Sequence, residues 1–254
     1  MTNARPVAVV TGARQGLGRA TAVALAAKGF DLVLIDLADC DETAAAVAGA
    51  GGQARGLIGD ISAIDHHAAL AADSLAAFGR LDCLVNNAGI AARPLTDILD
   101  LGAEAFDRGL SVNLRGTFFL TQAFARLMRD TPSEGYRSII FVTSIAASHI
   151  SWDRSPYCVA KAGLSMAAGL YAVRLAEFGI HVHEVRPGFI RTEMTASAAT
   201  GKIDAYIDEG RVPLRRWGRP EDIGTSIATI AAGGLPYMSG QAIHLDGGFH
   251  LPQA

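Results

Sequence analysis

The stretch Val7-Ala8-Val9-Val10-Thr11-Gly12-Ala13-Arg14-Gln15-Gly16-Leu17-Gly18 governs the reading of the chain. Four apolar residues make a short strand, a glycine-rich turn follows, and an alanine-rich run to about Lys28 has the composition of a helix. Strand, turn and helix in that order are the context a phosphate loop needs. Glycine lets backbone approach a pyrophosphate, and the helix N-terminus offers N–H donors and the positive end of its dipole. A glycine pattern alone is weak, so the rest of the chain decides.

Outward from that turn, apolar runs alternate with helical stretches. Strands are predicted at residues 31–35, 54–58, 81–85, 139–142, 180–185 and 242–245, with helices at 41–50, 106–128, around Tyr157 and at 221–232. The alternation predicts one doubly wound α/β domain: a seven-stranded parallel sheet with helices on both faces. The chain has 254 residues, half of them apolar, which is enough for a large core in one domain. No repeat, linker or low-complexity segment interrupts it. Residues 193–217 have mixed polarity and suit a flap over a site.

Composition narrows the function. A net charge of −3 gives no electrostatic case for nucleic acid or an anionic membrane. No apolar run is expected to reach the length of a membrane span, and residues 1–6 are too short and polar for a signal peptide. Cys40, Cys83 and Cys158 show no Cys-x-x-Cys spacing, so reduced thiols in the cytoplasm are expected. His66-His67 reads as part of a polar helix face. His181 and His183 share one side of a strand, and without further ligands no metal site is expected.

Polar residues gather at strand ends, where ligands bind in open α/β sheets. Asp36 closes the second strand and can accept hydrogen bonds from ribose hydroxyls. Asp60 and Ile61 follow the third strand, where Ser62 can cap the next helix. Asn86-Asn87-Ala88-Gly89 closes the fourth, as a turn or as a path for backbone beside a cofactor. Asn113 lies inside a helix, which is mildly unfavourable and points to a hydrogen-bonding task. Ser144 ends the fifth strand. Tyr157 and Lys161, four apart, share one face of a helix, and an ammonium beside a phenol favours the phenolate. Pro187-Gly188 through Thr192 follows the sixth strand, and Asp246-Gly247-Gly248 the seventh.

Taken together these marks resemble the short-chain dehydrogenase/reductases, over nearly the whole chain. The resemblance implies a Rossmann fold, a nicotinamide dinucleotide and a homotetramer or dimer. It also implies a catalytic tetrad of Asn113, Ser144, Tyr157 and Lys161. In that scheme Ser144 holds the substrate oxygen and Tyr157 transfers the proton. Lys161 lowers the Tyr157 pKa and holds the nicotinamide ribose, and Asn113 positions a water. Gly12, Arg14, Gln15, Gly16, Leu17 and Gly18 would hold the phosphates, with Asp36 and Leu37 at the ribose. Asp60 and Ile61 fall at the adenine, and Asn87, Ala88 and Gly89 near the ribose. Pro187, Gly188, Ile190 and Thr192 fall at the nicotinamide end.

Asp36 points to NAD over NADP. Arg14 is the counter-signal: it can hold a 2′-phosphate, pair with Asp36 or cover the adenine. The chain also departs from many 3-oxoacyl-carrier-protein reductases, which carry Asn and a small residue where His183 and Arg186 stand. It is similar to the branch that includes dehydrogenases of sugar-derived hydroxy acids. By the family's pattern the substrate pocket would draw on Arg93, His149, Trp152, Arg154 and Phe189. The arginines either pair with an anionic, hydroxylated small molecule or are solvated loop residues. Three readings follow: an NAD-dependent secondary-alcohol dehydrogenase, a 3-oxoacyl-carrier-protein reductase using NADPH, or a non-catalytic dinucleotide sensor.

Overall fold

The computed structural model describes residues 5–131, 134–193, 195 and 200–252. Its strands are β1 (Val7–Thr11), β2 (Asp31–Asp36), β3 (Ala54–Ile58), β4 (Cys83–Asn86), β5 (Arg137–Val142), β6 (Ile180–Pro187) and β7 (Ala242–Leu245). All fall on the apolar runs read from the sequence. They form one parallel sheet in the order β3-β2-β1-β4-β5-β6-β7. The chain builds outward from β1 to β3 and then restarts on the other side of β1 with β4. The order reverses there, so a crevice opens above the carboxyl ends of β1 and β4.

Both faces of the sheet are covered, which is why the strands read as continuous apolar runs. On one face Val9, Leu84, Ile139, Phe141 and Val182 meet Phe124 and Met128 of α5 (Thr117–Asp130) and Leu164 of α6 (Ser155–Leu175). On the other, Val10, Leu34, Val85 and Ile140 meet Leu25 of α1 (Gly16–Ala27) and Ile223 and Ile227 of α8 (Pro220–Ala231). Phe124 and Phe141 are fully buried, and truncating either to alanine should cost about 3–5 kcal/mol. The remaining helices are α2 (Asp41–Gly49), α3 (His67–Phe78), α4 (Ala103–Leu110) and α7 (Thr200–Asp208).

The structure corrects or adds to the sequence reading at five places. The helix expected over 106–128 starts earlier, at Ala103, and is broken by a π-helical turn, Ser111–Gly116, between α4 and α5. The segment 193–217 carries α7, where Ile203, Ile207 and Val212 pack with Phe189, Trp217 and Phe249; residues 194 and 196–199 lie outside the described residues. His67 is buried rather than on a polar face, its Nε2 2.8 Å from the Ile61 carbonyl. Ser62 does not cap a helix, because its hydroxyl donates to Asp60 Oδ1 at 2.7 Å. Finally, the helical stretch Trp152–Phe178 is long and apolar enough by composition to cross a membrane. In the fold Ala160, Lys161, Leu164, Ala168 and Leu175 of that stretch are buried in the protein.

Candidate active site

The phosphate loop is tied to the neighbouring strand end. Thr11, the last residue of β1, accepts at its hydroxyl from the backbone N–H groups of Asn87 and Ala88, both at 3.0 Å. Asn87 Nδ2 in turn donates to the carbonyls of Thr11 at 2.9 Å and Gly12 at 3.1 Å. Gly18 allows the helix to start against this turn: a Cβ there would lie 1.9 Å from the Gly12 carbonyl oxygen. No side chain caps the start of α1, and Gln15, Gly16 and Leu17 line the cleft. The arrangement suits an anion at a helix N-terminus.

Asp36 sits at the floor of the same cleft. Its Oδ2 accepts from the Arg14 backbone N–H at 3.0 Å and its Oδ1 from the Leu37 N–H at 2.8 Å. The Arg14 backbone, not its guanidinium, meets Asp36, and each carboxylate oxygen keeps acceptor capacity for a ribose hydroxyl. Asp60 Oδ1 accepts from the Ser62 N–H at 2.8 Å as well as its hydroxyl, which fixes the turn after β3. Ile35, Leu37 and Ile61 supply apolar lining at that end. Phosphate loop, carboxylate and apolar slot follow one another as the parts of a dinucleotide require, so the residues present fit that cofactor.

The four tetrad positions come together at the other end. Asn113 is 1% exposed in the π-helical turn. Its Oδ1 accepts from the Ile90 N–H at 2.8 Å and its Nδ2 donates to the Ile90 carbonyl at 2.9 Å. This is the hydrogen-bonding task the sequence pointed to, and π-turns often mark functional sites. A Cβ on Gly89 would stand 2.8 Å from Asn113 Oδ1 and 3.8 Å from Lys161 Nζ, so only glycine passes there. Lys161 is buried and donates to the Val142 carbonyl at 2.9 Å. Burial lowers its pKa to about 8, against an upward pull from Glu184. Ser144 Oγ accepts from the Ala146 N–H at 3.1 Å.

Burial pushes the Tyr157 phenol above the usual tyrosine range, while a hydrogen bond with Ser144 and the Arg154 guanidinium pull it down. The Arg154 guanidinium is thus one cation acting on the phenol. Lys161 Nζ stands 5.6 Å from the Tyr157 ring centroid.

Two cavities, of about 590 and 490 Å³, share Gln15, Gly89, Ile90, Arg108, Tyr157 and Glu193 as lining and so form one cleft. Tyr157 stands at the junction. The larger part holds the phosphate loop, Asp36, Asp60, Ile61, Asn87, Ala88, Lys161 and Thr192. Gly18, Pro187, Gly188 and Ile190, expected at the cofactor, do not line it. The smaller part runs past Arg93, Asp153 and Pro156.

Of the seven expected substrate contacts, Arg93 and Tyr157 line that smaller part, and Ser144 lines neither part. His149 packs on Phe249 at 5.2 Å between ring centroids, and Phe189 packs on Phe249 at 4.8 Å. Trp152 is exposed, and Arg154 Nε donates to Ser151 Oγ at 3.3 Å. Sequence reasoning missed Thr11, Arg108, Thr143 and Glu193. Thr11 and Thr143 had a signal, since each is the polar residue at a strand's carboxyl end. Arg108 and Glu193 had none.

Four further histidines form two groups, His181 with His183 and His244 with His250. Tyr136 lies on His181 with centroids 4.5 Å apart, and its hydroxyl shares a 2.7 Å hydrogen bond with His183 Nε2. His244, Asp246 and His250 have ligand atoms within 4.8 Å of one another, a grouping the sequence reading did not raise. The two rings stack with centroids 4.0 Å apart, and His250 Nδ1 lies 2.9 Å from Asp246 Oδ2. The carboxylate accepts from the Gly248 and His250 N–H groups at 2.9 and 3.0 Å, which closes the C-terminal turn.

A doubly wound sheet whose switch-point cleft joins a phosphate loop to a buried Tyr-Lys pair defines a dinucleotide-dependent oxidoreductase. Comparison with known proteins agrees. A family model described as enoyl-(acyl carrier protein) reductase matches residues 12–250. The 2-dehydro-3-deoxy-D-gluconate 5-dehydrogenase of Dickeya dadantii is 31% identical over 243 residues, 96% of this chain and 94% of its own. The structure of a 3-oxoacyl-[acyl-carrier protein] reductase from Brucella melitensis, in complex with NAD, matches with a TM-score of 0.96. It is 43% identical and the match covers 98% of this chain and 99% of that one. A structure from Agrobacterium tumefaciens with bound NADP matches with a TM-score of 0.86 at 32% identity, covering 96% of each chain. The chain belongs to the short-chain dehydrogenase/reductase family, oxidoreductases that act on alcohols and ketones with a nicotinamide dinucleotide.

Proposed function

We propose that the chain is an NAD-dependent secondary-alcohol dehydrogenase acting on a small, hydroxylated, anionic compound such as a sugar-derived acid. The observation that carries the catalytic part is the placement of Tyr157 where the two parts of the cleft meet, with Ser144 bonded to its phenol and Lys161 one turn along. In this reading the Ser144 hydroxyl holds the substrate oxygen. The Tyr157 phenolate takes the alcohol proton on oxidation, and the phenol returns it on reduction. Lys161 keeps positive charge beside the phenolate and binds the ribose. Asn113, fixed by Ile90, holds the chain around Gly89 so that the floor of the cleft stays in register. Phosphates fall to Gln15, Gly16 and Leu17, and the adenosine ribose to Asp36. When bound, the nicotinamide ring takes or gives the hydride.

NAD is favoured because Asp36 presents a carboxylate where a 2′-phosphate would lie, while its contact with Arg14 is to backbone rather than to guanidinium. An anionic substrate is favoured by Arg93 and Arg108 lining the smaller cavity. Asp153 and Glu193 line it too and suit hydroxyl groups as acceptors. A cytoplasmic homotetramer is favoured by the three free cysteines and by an exposed apolar stripe on α6, Val159, Met166, Leu170 and Val173, the last 83% exposed. A second copy covering that stripe accounts for the apolar character of both faces of α6. The deciding experiment is Tyr157→Phe, which should abolish NADH formation on a panel of sugar acids and polyols while NADH binding persists. Near-normal turnover in that variant would end the proposal.

A further inference from the structure

Glu184 has no part in the scheme above, yet it is a carboxylate 3% exposed in the middle of the fold. Its Oε1 accepts from the Thr143 hydroxyl and from Arg186 Nε, both at 2.6 Å. Its Oε2 accepts from the Ser165 hydroxyl at 2.8 Å and from Arg186 Nη2 at 3.4 Å. Arg186 Nη2 also donates to Ser165 Oγ at 2.7 Å. A buried ion pair gives little stability over a well-packed apolar pair, so folding alone is a poor reason for it.

Its position gives a better one. Thr143 stands between Val142, whose carbonyl takes the Lys161 ammonium, and Ser144. Ser165 follows Lys161 by one helical turn, as Lys161 follows Tyr157, so the three lie along one face of α6. The carboxylate is thus held by the neighbours of both Ser144 and Lys161.

We propose that Glu184 is a positioning residue of the hydride-transfer centre, whose fixed carboxylate supplies the counter-charge that keeps Lys161 an ammonium in its buried site. The proposal rests on the reading of Lys161 as the charged partner of Tyr157. Burial alone drives the Lys161 proton off, and Glu184 opposes that loss. The other groups around the pair are few. Tyr157 lies on α6 with Arg154 just before it, and Arg186 on β6. His244 and Asp246 lie at the end of β7, where His244 feels both Glu184 and Arg186. Thr143, Ser144 and Asn113 reach the region from β5 and the π-helical turn and are uncharged. Removing the carboxylate takes away the opposing charge and leaves the Arg186 guanidinium unpaired, and both changes disfavour a second cation.

The test reads Lys161 directly and needs no substrate. The chain has three lysines, Lys28, Lys161 and Lys202. In protein grown with ε-¹³C lysine, Lys28→Arg and Lys202→Arg assign the Lys161 resonance, whose titration midpoint should lie at about 8. In Glu184→Gln the midpoint should fall by about one unit or more, a tenfold or greater loss of proton affinity. Should the unpaired guanidinium prevent folding, Glu184→Gln/Arg186→Met removes both charges and leaves Lys161 desolvated without its counter-charge. Its midpoint should still lie below that of the wild type. A purely structural ion pair predicts an unmoved midpoint in whichever variant folds, and that result would overturn the proposal. Because the resonance is independent of turnover, it stands apart from the Tyr157→Phe experiment.

Discussion

Replacing Asp36 by alanine should remove most of the preference for NAD over NADP. The carboxylate has two anchors, the N–H groups of Arg14 and Leu37, and one acceptor site per oxygen left for the ribose. A charge-assisted hydrogen bond to a ribose hydroxyl contributes about 1.5–3 kcal/mol. In NADP the same carboxylate would face a phosphate. At about 4 Å, unit charges repel by about 1 kcal/mol in water and about 4 kcal/mol near a protein surface. Asp36 is half-buried in an open cleft, so the lower part of that range applies. Together the two effects come to about 3–5 kcal/mol, or roughly two to four orders of magnitude in relative affinity. Both N–H groups reach water in the variant, so the loop should hold its shape. Fluorescence titration with NADH and NADPH gives the ratio of Kd values without a substrate. The reasoning fails if the wild type binds NADPH as tightly as NADH, or if Asp36→Ala leaves the ratio where it was.

Other outcomes follow from single contacts. Gly18→Ala places a methyl 1.9 Å from the Gly12 carbonyl and should cost about 1–3 kcal/mol with loss of NADH binding; an unchanged melting temperature and Kd would contradict the packing described. Asn113→Ala leaves the Ile90 N–H and carbonyl without their partners and should lower kcat by more than it raises KM, which steady-state kinetics on the best substrate will show. Arg93→Ala and Arg108→Ala should raise KM for carboxylate substrates about tenfold or more and leave neutral alcohols unaffected; equal effects on both classes would remove the anionic part of the proposal. His183 is buried with its pKa lowered to about 4, so the unfolded chain binds its proton first as pH falls from about 6.5. Stability present above that range is then lost, by up to about 3 kcal/mol towards pH 4, and urea midpoints should fall less steeply with acid in His183→Gln than in the wild type.

Much of this was legible because the sheet is parallel and covered on both faces. The central strands are unbroken apolar runs, as in β1 and at 139–142; the edge strands at 54–58 and 242–245 carry Arg55 and His244 and were placed by the turn residues that close them. The polar residues that close those runs are also the ones that reach the crevice, which put Asp36, Asp60 and Asn87 on the cleft from sequence alone. The spacing of Tyr157 and Lys161 was legible for the same local reason, since four residues return to one face of a helix. The reach of the smaller cavity was not, and five of the seven expected substrate contacts do not line it.

The chain by itself therefore determined the order of strands and helices along it, the glycine turn after β1 and the shared helix face of Tyr157 and Lys161, because each is set by neighbours within one or two turns. The tertiary structure alone decided what buried polar atoms meet. Asn113 depends on Ile90, 23 residues away, and its π-turn is invisible to a 3.6-residue period. His67 turned inward because the Ile61 carbonyl offered a partner. Glu184 looked like one charge in a strand until Thr143, 41 residues distant, and Ser165, 19 distant, closed around it. A buried charge or amide must be satisfied by whatever backbone and side chains packing brings beside it, and that is fixed in three dimensions rather than along the chain.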